Sequence, residues 1–224
     1  MSLYIIATPI GNLEDISARA VRILGEVDIV LCEDTRTTGK LLKHYEIKVK
    51  TMSYHAHSND NREDQIVDML REGKSLALVS DAGTPTISDP GVKLVERVKK
   101  DLPDVMVSPI PGPSALMSAL SVSGISSAQF VFLGFLPHKK GRETLFQEIS
   151  ESNRTIVFYE STHRIMKTLE RLNELMPERH IAVARELTKI YEQVRTGSVR
   201  VVYQYFLENE DKIRGEFVVM IQGK

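Results

Sequence analysis

Two stretches of this chain place chemically unusual residues where a strand should end. SDAGTPTISDPG, residues 80–91, follows the apolar run SLALV and crowds glycines, prolines, aspartates and small hydroxyl residues together. Such a segment must turn tightly and bring its backbone close to something. CEDTR, residues 32–36, sets Glu33, Asp34 and Arg36 directly after the apolar run VDIVL. Two carboxylates and a guanidinium at a strand end can exchange a proton, with a pKa tuned by burial or a neighbour. They can also open a helix: Asp34 stands before TRTTGKLL as a good N-cap, which leaves Glu33 and Arg36 as the functional pair.

TPIGNLED and SPIPGPSA are further Pro/Gly turns after strand-like runs. Ligands of parallel sheets bind beyond the carboxyl ends of the strands, so three such loops at one edge make one site. None of them has G-x-x-x-x-G-K-[ST] or G-x-G-x-x-G, and none brings a lysine to the turn. The loops therefore suit a small neutral or cationic molecule with a polar periphery better than a phosphate-anchored nucleotide.

The elements that must hold these loops read as βα units. Strand-like LYIIAT, VDIVLCE, VKTMSY, SLALVSD and DVMVSPI alternate with helical ISARAVRIL, TRTTGKLLKHY, NREDQIVDMLREG, GVKLVERVKK and PSALMSALSVSG. In the third helix Ile66, Met69 and Leu70 form an i, i+3, i+4 stripe opposite a charged side. An α/β domain with a parallel-type sheet of about five strands is expected over residues 1–115. A second α/β domain, over 116–224, begins after the small, polar SVSGISSAQ, and a ligand cleft is expected between the two.

With 224 residues, of which 42% are hydrophobic and 26% charged, the chain can bury a real core. A single cysteine, Cys32, excludes an internal disulfide and reads as a buried small hydrophobe. No apolar run spans a bilayer and no signal sequence is seen, which makes the cytoplasm the expected location and a membrane partner unexpected. The formal net charge of −1 means that affinity for nucleic acid would have to come from local patches.

Taken in order, TPIGNLEDIS, CEDTR, SDAGTPTISDPG, IPGPSA, GFLP, YESTHR and RGEFVVMI resemble the tetrapyrrole methylase superfamily of S-adenosylmethionine-dependent methyltransferases. Within it the match is close to the branch that 2′-O-methylates a cytidine of small-subunit ribosomal RNA. The first loop reads TPIGN where small-molecule members have G-x-G-P-G-D, which points away from tetrapyrrole substrates. The resemblance implies two α/β domains with S-adenosylmethionine in the cleft between them, and a homodimer. It further implies a cofactor pocket lined by Gly83, Thr84, Pro85, Ile87 and Ser88, joined by Ser114 and Ala115, with Phe158, Gly215 and Glu216 at the adenosine end. Methylation of a ribose 2′-oxygen calls for a general base, for which Glu33 and Asp34, beside Arg36, are the candidates. The partner would be the small ribosomal subunit or its rRNA. A methylase of a tetrapyrrole-like metabolite and a non-catalytic cofactor- or RNA-binding module are the alternatives.

Contacts to RNA are expected from Lys40 on the second helix, from Lys139, Lys140 and Arg142 in PHKKGR, and from Arg164 in YESTHR. Each has a structural reading as well: polar helix face for Lys40, and for Arg164 an ion pair with Glu160 across a helix start. His55 and His57 have the spacing of a metal pair, but no third ligand accompanies them, so no metal is expected.

Overall fold

The computed structural model describes residues 1–55 and 60–224; His57 lies outside the described residues. The fold divides into two compact units, Met1–Ser114 and Ala115–Lys224. The first runs β1 (Ser2–Ile6), α1 (Ala18–Glu26), β2 (Ile29–Cys32), α2 (Thr35–His44), β3 (Lys50–Ser53), α3 (Asp60–Arg71), β4 (Leu76–Val79), α4 (Val92–Asp101) and β5 (Met106–Ile110). Its five strands form one sheet in the order β3-β2-β4-β1-β5, parallel throughout.

The alternation of side chains along the strands builds two cores. Val30 and Cys32 of β2, Ala77 and Val79 of β4 and Ile6 of β1 face Ala20, Ile23 and Leu24 of α1 and Leu41 and Leu42 of α2. Leu31, Leu76, Leu78 and Leu3 point the other way, into Ile66, Met69 and Leu70 of α3 and Leu94 and Val98 of α4. Because both faces are covered, LALV is apolar at every position rather than at alternate ones. The edge strands carry what a central strand could not: exposed lysine and threonine in β3, and Pro109 in β5. Ser17 caps α1 by accepting from the Ala20 N–H, and Asp34 caps α2 by accepting from the Arg36 N–H.

β4 lies between β2 and β1, so the chain leaving β1 turns to one side of the sheet while the chain leaving β4 turns to the other. That divergence is a topological switch point. The loops after β2, β4, β1 and β5 are consequently consecutive neighbours along one edge.

Gly91 closes the long loop at φ +121°, and a Cβ there would come within 2.6 Å of the buried Leu78 Cδ2. Gly91→Ala is expected to cost about 1–3 kcal/mol, read as a lowered urea midpoint with unchanged slope.

The second unit contains α5 (Ala115–Val122), β6 (Phe130–Phe135), α6 (Arg142–Glu151), β7 (Thr155–Ser161), α7 (Ile165–Leu175), β8 (His180–Arg185), β9 (Gln193–Ser198), α8 (Val199–Glu208) and β10 (Glu216–Ile221). Its sheet, ordered β6-β7-β10-β8-β9, is parallel only at β6/β7 and antiparallel elsewhere. One core gathers Ile156 and Phe158 of β7, Phe217 and Val219 of β10, Phe146 of α6, Leu169 of α7 and Phe206 of α8. Among the described residues, no helix is long and apolar enough to cross a membrane.

Candidate functional site

The Pro/Gly loops of the first unit are fastened to one another at the strand ends. Thr8, just past β1, exchanges both backbone hydrogen bonds with Gly83: its N–H donates to the Gly83 carbonyl at 2.8 Å and its carbonyl accepts from the Gly83 N–H at 3.0 Å. The Thr8 hydroxyl donates to the Ser80 carbonyl at 3.0 Å. The Thr84 hydroxyl reaches the Pro113 carbonyl at 3.1 Å, tying in the loop after β5, and the Asp34 N–H donates to Asp81 Oδ1 at 3.2 Å, tying in the one after β2. The structure thus brings the predicted loops together as a single braced edge.

Within that edge the expected cofactor residues divide. Gly83 is buried, sits at φ +83°, and has both backbone groups committed to Thr8. Its lack of a side chain serves that left-handed turn. Thr84 braces the loop and Pro85 is buried, whereas Ile87 and Ser88 stand exposed at its apex. Thr86 and Ser88 both hold positive φ, at 75° and 62°, a strained state for side-chain-bearing residues that is typical of ligand clamps. Ser114 and Ala115 are half-buried, and Ala115 opens α5.

The carboxylates form the electrostatic centre. Glu33, half-buried at the end of β2, has its pKa pushed up from 4.5 to about 7 by burial, then by the neighbouring charges of Asp89 and Asp81, against a hydrogen bond from the Asp81 backbone. Asp89 is raised to about 6, chiefly by burial. Sequence reasoning passes over Asp81 and Asp89, although both stand in the stretch SDAGTPTISDPG; their relation to Glu33 depends on β2 and β4 being neighbours. Of the two carboxylates it is Asp34 that Arg36 engages. Arg36 is 87% exposed in its side chain and forks onto Asp34, with Nη2 2.6 Å from Oδ2. That pair, with the cap on α2, holds the Asp34 carboxyl near 2.

A stability signature follows. Between roughly pH 4.5 and 7 the folded chain retains protons on Glu33 and Asp89 that the unfolded chain has released, so stability declines as pH rises through this window. The thermal midpoint is expected to fall from pH 5 to pH 8, and Glu33→Gln and Asp89→Asn should each flatten that decline in a calorimetric pH series.

In the second unit the residues singled out from the sequence have structural partners of their own. Phe158 is fully buried in the β7 core between the sheet and its helices, so it packs rather than stacking on an adenine. Gly215, at φ +86°, leaves room for Glu186, whose carboxylate a Cβ at this position would strike. Glu186 accepts from the Glu216 N–H at 3.2 Å, and the Lys189 ammonium bridges Glu186 and Glu216 at 2.9 and 2.7 Å. Gly215 and Glu216 therefore belong to a local lock between RELTK and RGEF. Arg142 and Arg164, expected on RNA, are turned inward onto Glu160 and are each only 17% exposed. Lys40, Lys139 and Lys140 are exposed.

Comparison with known proteins agrees with this architecture. The family described as Tetrapyrrole (Corrin/Porphyrin) Methylases matches residues 2–202. The chain belongs to the tetrapyrrole methylase family. Proteins named ribosomal RNA small subunit methyltransferase I are 44% identical to it in both Haemophilus influenzae, over 99% of this chain and 78% of that one, and Thermotoga maritima, over 99% and 98%. Solved structures sharing the fold include a diphthine synthase (TM-score 0.72, 12% identity, covering 99% of this chain and 90% of that one) and the cobalt precorrin-4 methyltransferase of cobalamin biosynthesis (0.70, 16%, 99% and 94%).

As a tetrapyrrole methylase the chain is an S-adenosylmethionine-dependent methyltransferase. The donor set at the braced edge fits that cofactor. Serine and threonine hydroxyls and an uncovered Ile87 side chain offer polar and apolar contacts, and the surplus of carboxylates over cations favours a sulfonium over a phosphate.

Proposed function

We propose that this methylase transfers a methyl group to the ribose 2′-oxygen of a cytidine in small-subunit ribosomal RNA, with Glu33 as the general base, acting as a cytoplasmic homodimer. The observation that carries the chemistry is the half-buried Glu33 carboxyl, raised to about 7 beside Asp81 and Asp89 at the switch point of the sheet. The substrate class is supported by the names of the relatives, which share 44–46% of their residues with this chain.

S-adenosylmethionine supplies, when bound, an electrophilic methyl group carried on a cationic sulfur. Glu33 accepts the proton of the attacking 2′-hydroxyl; near pH 7 it is divided between its two protonation states, the balance that serves a base best. Asp89 and Asp81 maintain that basicity, since their negative charges disfavour a second anion at Glu33. The Asp34–Arg36 pair fixes the start of α2 and with it the backbone that carries Glu33. The exposed Lys139 and Lys140 supply the local positive charge that the whole chain lacks.

Incubation with labelled S-adenosylmethionine and small subunits from a strain lacking this protein is expected to put label on ribose of one cytidine. Label appearing only with a tetrapyrrole-like acceptor, or with none, would overturn the reading. In the same assay Lys139→Ala/Lys140→Ala is expected to raise KM for subunits and to flatten the salt dependence of binding, by roughly one unit of log–log slope for each phosphate that is no longer neutralised.

A further inference from the structure

Glu160 lies near the end of β7, is 1% exposed, and has polar groups on both sides of its carboxylate. Oε1 accepts from the Ser161 N–H at 2.9 Å and lies 2.8 Å from Arg164 Nε. Oε2 accepts from the Thr168 hydroxyl at 2.8 Å and from Arg142 Nη2 at 3.4 Å, and the same Nη2 donates to the Thr168 oxygen at 2.6 Å. Neither guanidinium stops at the carboxylate. Arg164 Nη1 donates to the Leu136 carbonyl at 2.8 Å, and Arg142 Nη1 donates to the Pro137 carbonyl at 3.1 Å. Arg142 is further held over the Phe146 ring at 5.0 Å.

Leu136 and Pro137 are the two residues that lead out of β6 into the turn His138, Lys139, Lys140. One buried carboxylate therefore grips two consecutive carbonyls through two forked cations. We infer that Glu160 is a positioning residue: through Arg142 and Arg164 it clamps the entry of the basic turn and fixes where Lys139 and Lys140 project. Its bearing on catalysis rests on the reading that this turn contacts rRNA.

The geometry requires a fork, since each arginine must serve the carboxylate and a carbonyl from different nitrogens. A lysine offers a single ammonium centre and loses that bridge while preserving charge. Arg142→Lys and Arg164→Lys separate the clamp from the electrostatics, and Thr168→Val weakens it from the hydroxyl side without touching any charge. Limited trypsin digestion of the native protein reads the clamp directly. Cleavage after Lys139 and Lys140, taken relative to cleavage after the exposed Arg154, is expected to accelerate several-fold in each variant. The ratio keeps the test valid for a variant of lowered overall stability, because general unfolding raises both cuts. Subunit KM should rise in parallel with kcat little changed. A cleavage ratio unchanged in all three variants would overturn the clamp. The rRNA reading of the turn fails separately, if Lys139→Ala/Lys140→Ala leaves subunit KM and its salt dependence as they were; the cleavage ratio decides the clamp either way.

Discussion

Glu33→Gln is expected to lower the rate of methyl transfer to small subunits by about 10²–10⁴-fold while leaving S-adenosylmethionine affinity close to that of the parent. The substitution keeps the shape of the side chain and removes the proton acceptor, so its cost falls on the transition state rather than on the ground-state complex. The pH profile provides the sharper reading. With the Glu33 carboxyl at about 7, the parent kcat/KM should rise through an apparent pKa near 7 and level off above it. Glu33→Gln should lose that rise along with the rate. Asp89→Asn supplies a second, opposite check: removing a negative neighbour eases ionisation of Glu33, so the rise should move to lower pH with the plateau retained. A Glu33→Gln enzyme at parental rate, with the same pH profile, would remove Glu33 from the chemistry and leave Asp34 or a mechanism without a dedicated base.

The loops that build this centre are legible in the sequence because glycine and proline at strand ends have few alternatives. The cap by Asp34 and the stripe of Ile66, Met69 and Leu70 are legible because their partners lie within a helical turn. What sequence could not reveal is the insertion of β4 between β1 and β2. That order sets Asp81 and Asp89 beside Glu33, where burial first and their negative charges second push its pKa up to about 7. Arg36 follows closely on both Glu33 and Asp34 in the chain, and the helix start decides for Asp34. The same limit acts in the second unit. PHKKGR reads as one basic cluster, yet Arg142 heads α6 with its side chain turned inward, while the two lysines remain outside. β9 carries little sequence signal, because QVRTGS is a polar edge strand with a glycine and no apolar alternation to mark it.

The other large effect expected is on stability. Glu160→Ala should destabilise the protein by about 3–5 kcal/mol, because it leaves Arg142 and Arg164, two cations mostly withdrawn from water, without the carboxylate that compensates them. For a chain of this size that is a fall in thermal midpoint of very roughly 6–20 °C. Loss of side-chain volume contributes little beside this, as the site is polar and the guanidinium stems can relax into the space. The two contributions are separable. Replacing all three groups together by apolar residues, Arg142→Met, Glu160→Leu and Arg164→Met, removes the charges along with their partner and should restore most of the lost stability, since a buried ion pair rarely outperforms a well-packed apolar substitute. The triple variant would nevertheless lack the forks that hold Leu136 and Pro137, and its basic turn should remain as sensitive to trypsin as that of Arg142→Lys. Stability regained with the turn still loose is the combination that assigns Glu160 to positioning rather than to holding the unit folded; a Glu160→Ala protein within about 1 kcal/mol of the parent would mean instead that water reaches both arginines and that the cluster was never dry.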